Sequence, residues 1–189
     1  MKFLYRFTGS LILIFNMLLN FSPARAQEVY PCIWRNPERT MVRIFPDAKD
    51  YKTLVKKISR EQLALIEKQL GAKLLPGQRE QFQYFELIDG KNNLLGYIIP
   101  SSQKGEYGAI EFVFGLDKEK KVNGVYIQRA REKDREFRKS EFLNRFIGKG
   151  LGDDVSGGSI KAAKTTGTAA VIQGFRKEFI TFMELVVKK

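Results

Sequence analysis

The chain has 189 residues, 43% of them hydrophobic, which suffices for one well-packed domain and is short for two. It has no histidine and a single cysteine, Cys32, which excludes Ser-His-Asp and Cys-His nucleophilic machinery, the common histidine-based zinc sites and any intramolecular disulfide. Its formal net charge of +12 favours anionic partners: phosphate ligands, acidic headgroups or an acidic protein face.

Residues 1–26 place Lys2 and Arg6 ahead of an apolar run from Leu11 to Phe21 and close on Ala24-Arg25-Ala26. This is the order of a secretory signal peptide cleaved before Gln27. The apolar run falls short of the ~20 residues that a spanning helix needs, so cleavage is favoured over an uncleaved anchor. The expected location is periplasmic, or the outer face of the cytoplasmic membrane. Loss of Lys2, Arg6 and Arg25 lowers the net charge to +9. Nucleic acid is not expected as a partner, because basic residues are interleaved with acids. REKDREFRKSE (Arg131–Glu141) reads as a solvated face or loop. Cys32 follows Val29-Tyr30-Pro31, which is no lipobox, and reads as a half-buried hydrophobe near the mature N-terminus.

The mature chain divides into an N-terminal helical segment, 27–75, and an α+β region, 76–189. In the first, SREQLALIEKQLGAKL opens on Ser59 with Gln62 three residues on, a capping box, and stops near Gly71; Leu63, Ile66 and Leu70 form its apolar face. FQYFELIDGKNNLLGYIIP carries two β-rich runs around Asp89-Gly90, with the second ended by Pro100. GAIEFVFGLDKEKKVNGVYIQRA is a second pair, turned by Asp117–Lys121 and bulged at Asn123-Gly124, with Phe112, Phe114, Val125 and Ile127 inward. SEFLNRFIGKG predicts a short helix capped by Ser140, burying Phe142, Leu143 and Phe146 and stopped by Gly148. A last helix carries Val171, Phe175, Phe179, Phe182 and Val186 in one stripe, a core face before anything else. The predicted fold is a single α+β domain after a signal peptide, an antiparallel sheet with helices packed on it.

Chemistry concentrates where that last helix begins, in SGGSIKAAKTTGTAAVIQGFRKEF (Ser156–Phe179). A helix N-terminus attracts phosphate through its unpaired N–H groups and partial positive charge. Thr165, Thr166 and Thr168 add hydroxyls, Lys161 and Lys164 add charge, and Gly157, Gly158 and Gly167 permit close backbone approach. Ordinary threonine capping accounts for the same residues and is the commoner use of such a pattern. GSIKAAKT (Gly158–Thr165) departs from a P-loop at Ala163, and FIGKGLGDDVSG supplies no preceding strand, so ATP is not expected there.

The span from Phe82 to Phe179 resembles the FMN-binding domain of the C and G subunits of sodium-pumping quinone reductase and Rnf-type electron-transport complexes, and of NosR-type regulators. The resemblance is carried by DGKNNLLGYIIP, GAIEFVFGLDKEKKVNGVYI, EFLNRFIGKGL and AAKTTGTAAVIQGFRKEF, in the family's order and at similar spacing. It implies FMN as cofactor, electron transfer as the role and subunits of a membrane redox complex as partners. It places the phosphate on Lys164, Thr165, Thr166, Gly167 and Thr168, and sets Glu132 in the family's Glu-Thr position, here followed by Lys133. In the family, the first threonine of the motif carries FMN through a phosphoester, read with an upstream S-G-A and Asp. Thr165 takes that place in one register and Lys164 in the next. Ala162-Ala163-Lys164 and Ser159 stand where the recognition residues belong, so the expectation is non-covalent FMN. Two other readings stay open: a flavin-free assembly module of a redox complex, and a basic protein docking peripherally on anionic membrane. No catalytic residue and no metal ligand is expected.

Overall fold

The structure, a computed structural model, describes residues 38–150, 153, 163 and 165–188. The expected leader and cleavage site, Cys32, Gly157, Gly158, Lys161 and Lys164 lie outside the described residues. Five strands form one antiparallel sheet in which each pairs with its neighbours in sequence: β1 (Asp50–Lys57), β2 (Gln81–Ile88), β3 (Leu94–Lys104), β4 (Ala109–Asp117) and β5 (Val122–Arg129). Helix α1 (Glu38–Ile44) packs on one face. On the other lie α2 (Arg60–Leu70), the single turn α3 (Ser140–Leu143) and α4 (Thr166–Phe182), which continues as a π turn over Met183–Val187. The expected α+β architecture is therefore present, and β1 joins the residues before 75 to the same sheet.

Strands β3 and β4 read as near-continuous apolar runs because helices bury both faces of the sheet at its centre. Phe112 and Phe114 point to the α4 side, fully buried with Phe175, Phe146 and Phe182; Val113, between them in sequence, points to the α1 side with Phe85, Leu87 and Ile98. The ring of Phe175 sits 4.5 Å from that of Phe114 and 4.6 Å from that of Phe146, so the aromatic stripe of the last helix is core packing. On the opposite face, three glycines on adjacent strands make a trough for α1. A Cβ on Gly96 would stand 2.3 Å from the Leu116 carbonyl oxygen and 2.7 Å from Phe45, and one on Gly115 would stand 2.4 Å from Ile44. Gly124, paired with Gly115, extends the trough beneath Ile44.

Helix α2 has the expected capping box: the Gln62 N–H donates to Ser59 Oγ, the Ser59 N–H donates to Gln62 Oε1, and Gly71 closes the helix in the left-handed region at φ +70°. Asp89 organises the β2–β3 turn by accepting the Asn93 side-chain amide and the N–H groups of Asn93 and Lys91, and the side-chain and then the backbone bond from Asn93 hold its carboxyl below the usual range. Asn123 is the extra residue of a bulge, since Gly115 pairs with Gly124 and Leu116 with Val122.

Three expectations are corrected. Pro100 does not end its strand: β3 continues to Lys104 on β4, and what stops before Pro100 is the ladder to β2, whose recorded pairing runs from Phe85–Ile98 to Ile88–Leu94. A residue without an N–H is compatible with a strand where the ladder on one side is absent. Ser140 does not cap α3; Lys139 holds the cap position without a side-chain bond and Ser140 is the first helical residue. The run Arg131–Glu141 is not simply a solvated face, because Glu132 is 4% exposed and Phe137 is fully buried.

Candidate functional site

Thr165 caps α4 from extended backbone, and Thr168 reciprocates. The Thr168 N–H donates to Thr165 Oγ1 at 3.2 Å, the Thr165 N–H donates to Thr168 Oγ1 at 3.1 Å, and the Thr168 hydroxyl donates to the Thr165 carbonyl at 2.8 Å. This is a capping box in which threonine replaces the usual Glu or Gln at the third helical position. Both hydroxyls are thereby engaged in the helix start, and Thr168 is buried.

Gly167 serves packing. A Cβ there would stand 2.5 Å from Phe137 and 2.9 Å from Asp134 Oδ2, so the 3-10 turn Glu136–Arg138 presses directly on the first turn of α4. Asp134 holds that turn by accepting the Glu136 N–H on Oδ1 at 2.7 Å, while its Oδ2 is buried without a hydrogen-bond partner among the described residues. A carboxylate beside the positive end of a 17-residue helix is electrostatically favourable. Asp134 was not singled out by sequence because it lies in a run of alternating charges. The usable signal was Phe137, the single apolar residue between Arg131 and Glu141.

Glu132 is placed elsewhere. Its Oε1 accepts the Tyr107 N–H at 3.0 Å and lies against Gly105, so the carboxylate is built into the turn between β3 and β4. Thr166, exposed at the first helical position, is the one hydroxyl of the threonine group that the cap does not use. Lys164 lies outside the described residues.

For the phosphate of FMN, the donor set at this end consists of the Thr166 hydroxyl and the first-turn N–H groups that no helix satisfies internally. Asp134 bounds the Gly167 side of that set by repulsion, so a phosphate would have to sit on the Thr166 side. Thr165 and Thr168 would act on such a group indirectly, by holding the first turn in place. No group of residues suited to a metal ion occurs among the described residues, and no described helix is long and apolar enough to cross a membrane.

No family model matches the chain, and no curated protein does so. Among solved structures, the crystal structure of Shewanella oneidensis NqrC is similar over 81% of this chain and 84% of that one, at 16% sequence identity and a TM-score of 0.43. That likeness is too distant to assign a function.

Proposed function

We propose that this chain is an exported FMN-binding domain protein that holds its flavin without a covalent bond and serves electron transfer at or near a membrane. The observation that carries the reading is the order of its motif segments, which fall on consecutive elements of one frame: the β2–β3 pair, the β4–β5 pair, α3 and the threonine-rich start of α4. The phosphate would rest on Thr166 and the α4 N-terminus, with Lys164 as counter-charge. Thr165, Gly167 and Thr168 build the helix start that presents those donors. When bound, the flavin supplies the redox chemistry, and the protein contributes position, access and electrostatics. The engagement of Thr165 Oγ1 in the cap supports non-covalent attachment over a phosphoester.

One observation favours the flavin-free assembly module instead: the Asp134 carboxylate already occupies the flank of the helix start at Gly167. An absorbance spectrum of the chain from Gln27 onward, taken before and after acid precipitation and during titration with FMN, separates the readings. Flavin released to the supernatant, with binding weakened by Thr166→Ala, is the expected result. Flavin retained in the pellet would point to covalent attachment, and a colourless protein that takes up no FMN would leave the assembly module.

A further inference from the structure

In sequence the stretch Arg131–Lys139 mixes five cations with three acids, and the fold sorts them. Glu132 is 4% exposed, and its Oε1 accepts the Tyr107 N–H. Asp134 turns inward to accept the Glu136 N–H, with its other oxygen buried beside Gly167. Glu136 is paired with Lys139. Arg138 reaches back to the Ala130 carbonyl and lies over the Phe137 ring. What remains outward is Arg131, Lys133 and Arg135, all exposed and none with a carboxylate partner among the described residues.

An aromatic side chain completes this ridge. Tyr107, on the β3–β4 turn, is 42% exposed, and Lys133 Nζ lies 4.9 Å from the centre of its ring. The Glu132 carboxylate fixes that arrangement, because it holds the Tyr107 backbone from the position next to Lys133. The two inward acids, Glu132 and Asp134, thus anchor the chain on either side of Lys133 and leave the cations outward. Two exposed acids, Glu106 on the same turn and Glu141 on α3, flank these segments in sequence.

We infer that Arg131, Lys133, Arg135 and Tyr107 form a docking surface for the acidic face of another protein. Arginines around an exposed tyrosine suit a protein contact, since Arg and Tyr carry much of the binding energy at such interfaces. Lipid-binding clusters carry roughly four to eight cations, more than this ridge has. Opposite charge on the two faces speeds encounter and sets orientation, and salt weakens both. The ridge borders the start of α4, where Phe137 and Asp134 lie against Gly167. A protein docked there would stand beside the proposed flavin position, so under the FMN reading the partner is a redox protein; docking itself requires no flavin.

Titration of the isotope-labelled protein, followed by nuclear magnetic resonance, tests this. The probes are a decapeptide of alternating aspartate and glutamate, a matching decapeptide of asparagine and glutamine, inorganic phosphate, and vesicles of anionic phospholipid. The expected result is saturable, salt-sensitive binding of the acidic peptide, with shifts clustered at Tyr107 and Arg131–Arg135, and no binding of the neutral one. R131Q/K133Q/R135Q should lose roughly ten-fold in affinity, as the removal of three exposed charge contacts requires. The charge-matched control K52Q/K57Q/K68Q, at exposed positions on β1 and α2, should lose about two-fold or less. Y107L should weaken binding with every charge in place, a loss that net charge alone does not produce. All these side chains are exposed, so melting temperatures should be unchanged in every variant. Absence of peptide binding, equal loss in the control, shifts spread over the whole surface, or binding of vesicles or phosphate in place of the peptide would overturn the inference. Because no flavin is added, failure of this docking and failure of the FMN reading are separate results.

Discussion

Lys177 and Glu178 form an ion pair inside the protein, with side chains 7% and 10% exposed and Nζ 3.1 Å from Oε1. Lys177 also donates to the Ser102 carbonyl at 3.0 Å, so the pair is pinned against β3. At this separation and an effective dielectric constant near 20, the mutual attraction is about 5 kcal/mol, most of it offset by the cost of removing both charges from water. Lys177→Met leaves that cost on Glu178 without the attraction, and the expected destabilisation at neutral pH is about 3–5 kcal/mol. The double variant K177M/E178Q should recover most of the loss. The pH dependence has a definite sign. Burial pushes the Glu178 carboxyl above its ordinary value, with Lys177 and Ser101 pulling the other way. A raised carboxyl contributes full stability below its unfolded pKa, and the contribution is lost as pH rises through the folded one. Without Lys177 the carboxyl rises further, so K177M should resemble the wild type in acid and fall well below it at neutral pH. Urea unfolding followed by far-UV circular dichroism measures both quantities. A coupling between the two substitutions below about 1 kcal/mol, or a K177M loss that does not depend on pH, would refute the reasoning.

Gly96→Ala should lower stability by about 3 kcal/mol or more, visible as a drop in melting temperature, because the new methyl meets a backbone oxygen as well as Phe45. Thr165→Ala should cost about 1–2 kcal/mol in urea unfolding through loss of the cap, and Thr165→Ser should recover most of it. Phe175→Ala should cost about 3–5 kcal/mol in the same assay, since the ring is fully buried between Phe114, Phe146 and Phe179.

Much of the frame was legible because local chemistry and tertiary packing agree. Ser59 and Gln62 announce α2, Asn123-Gly124 announces the bulge, and Val171, Phe175, Phe179 and Phe182 announce α4. Strand β1 carried no comparable signal. DYKTLVKK is an edge strand with five exposed positions and three lysines, a composition that discourages pairing with other chains and also conceals the strand from hydropathy. Helix α1 is only seven residues long, and the trough that receives it is assembled from glycines on three separate strands. At the candidate site the threonines were readable as caps or as phosphate donors, and only the observed hydrogen bonds separate Thr165 and Thr168 from Thr166. The buried Lys177-Glu178 pair was concealed for a different reason: in RKEF, charged residues look like a solvent face, whereas α4 is enclosed on most sides.

The strand order β1-β2-β3-β4-β5 has a consequence for assembly in time. Strands β2 to β5 each find their partner across a short turn, and only β1 joins across a longer connection, the one that carries α2, so most of the sheet grows by local closures of small entropic cost. The helix that covers Phe112 and Phe114 follows all five strands in the chain, and until it docks α2 and the short α3 cover this aromatic face only in part. A nascent or truncated chain lacking α4 would carry a complete hydrogen-bonded sheet with one wet, apolar side, the kind of species that aggregates or recruits chaperones. Docking of α4 is what buries that face, and the Thr165 cap fixes where the helix that does so begins.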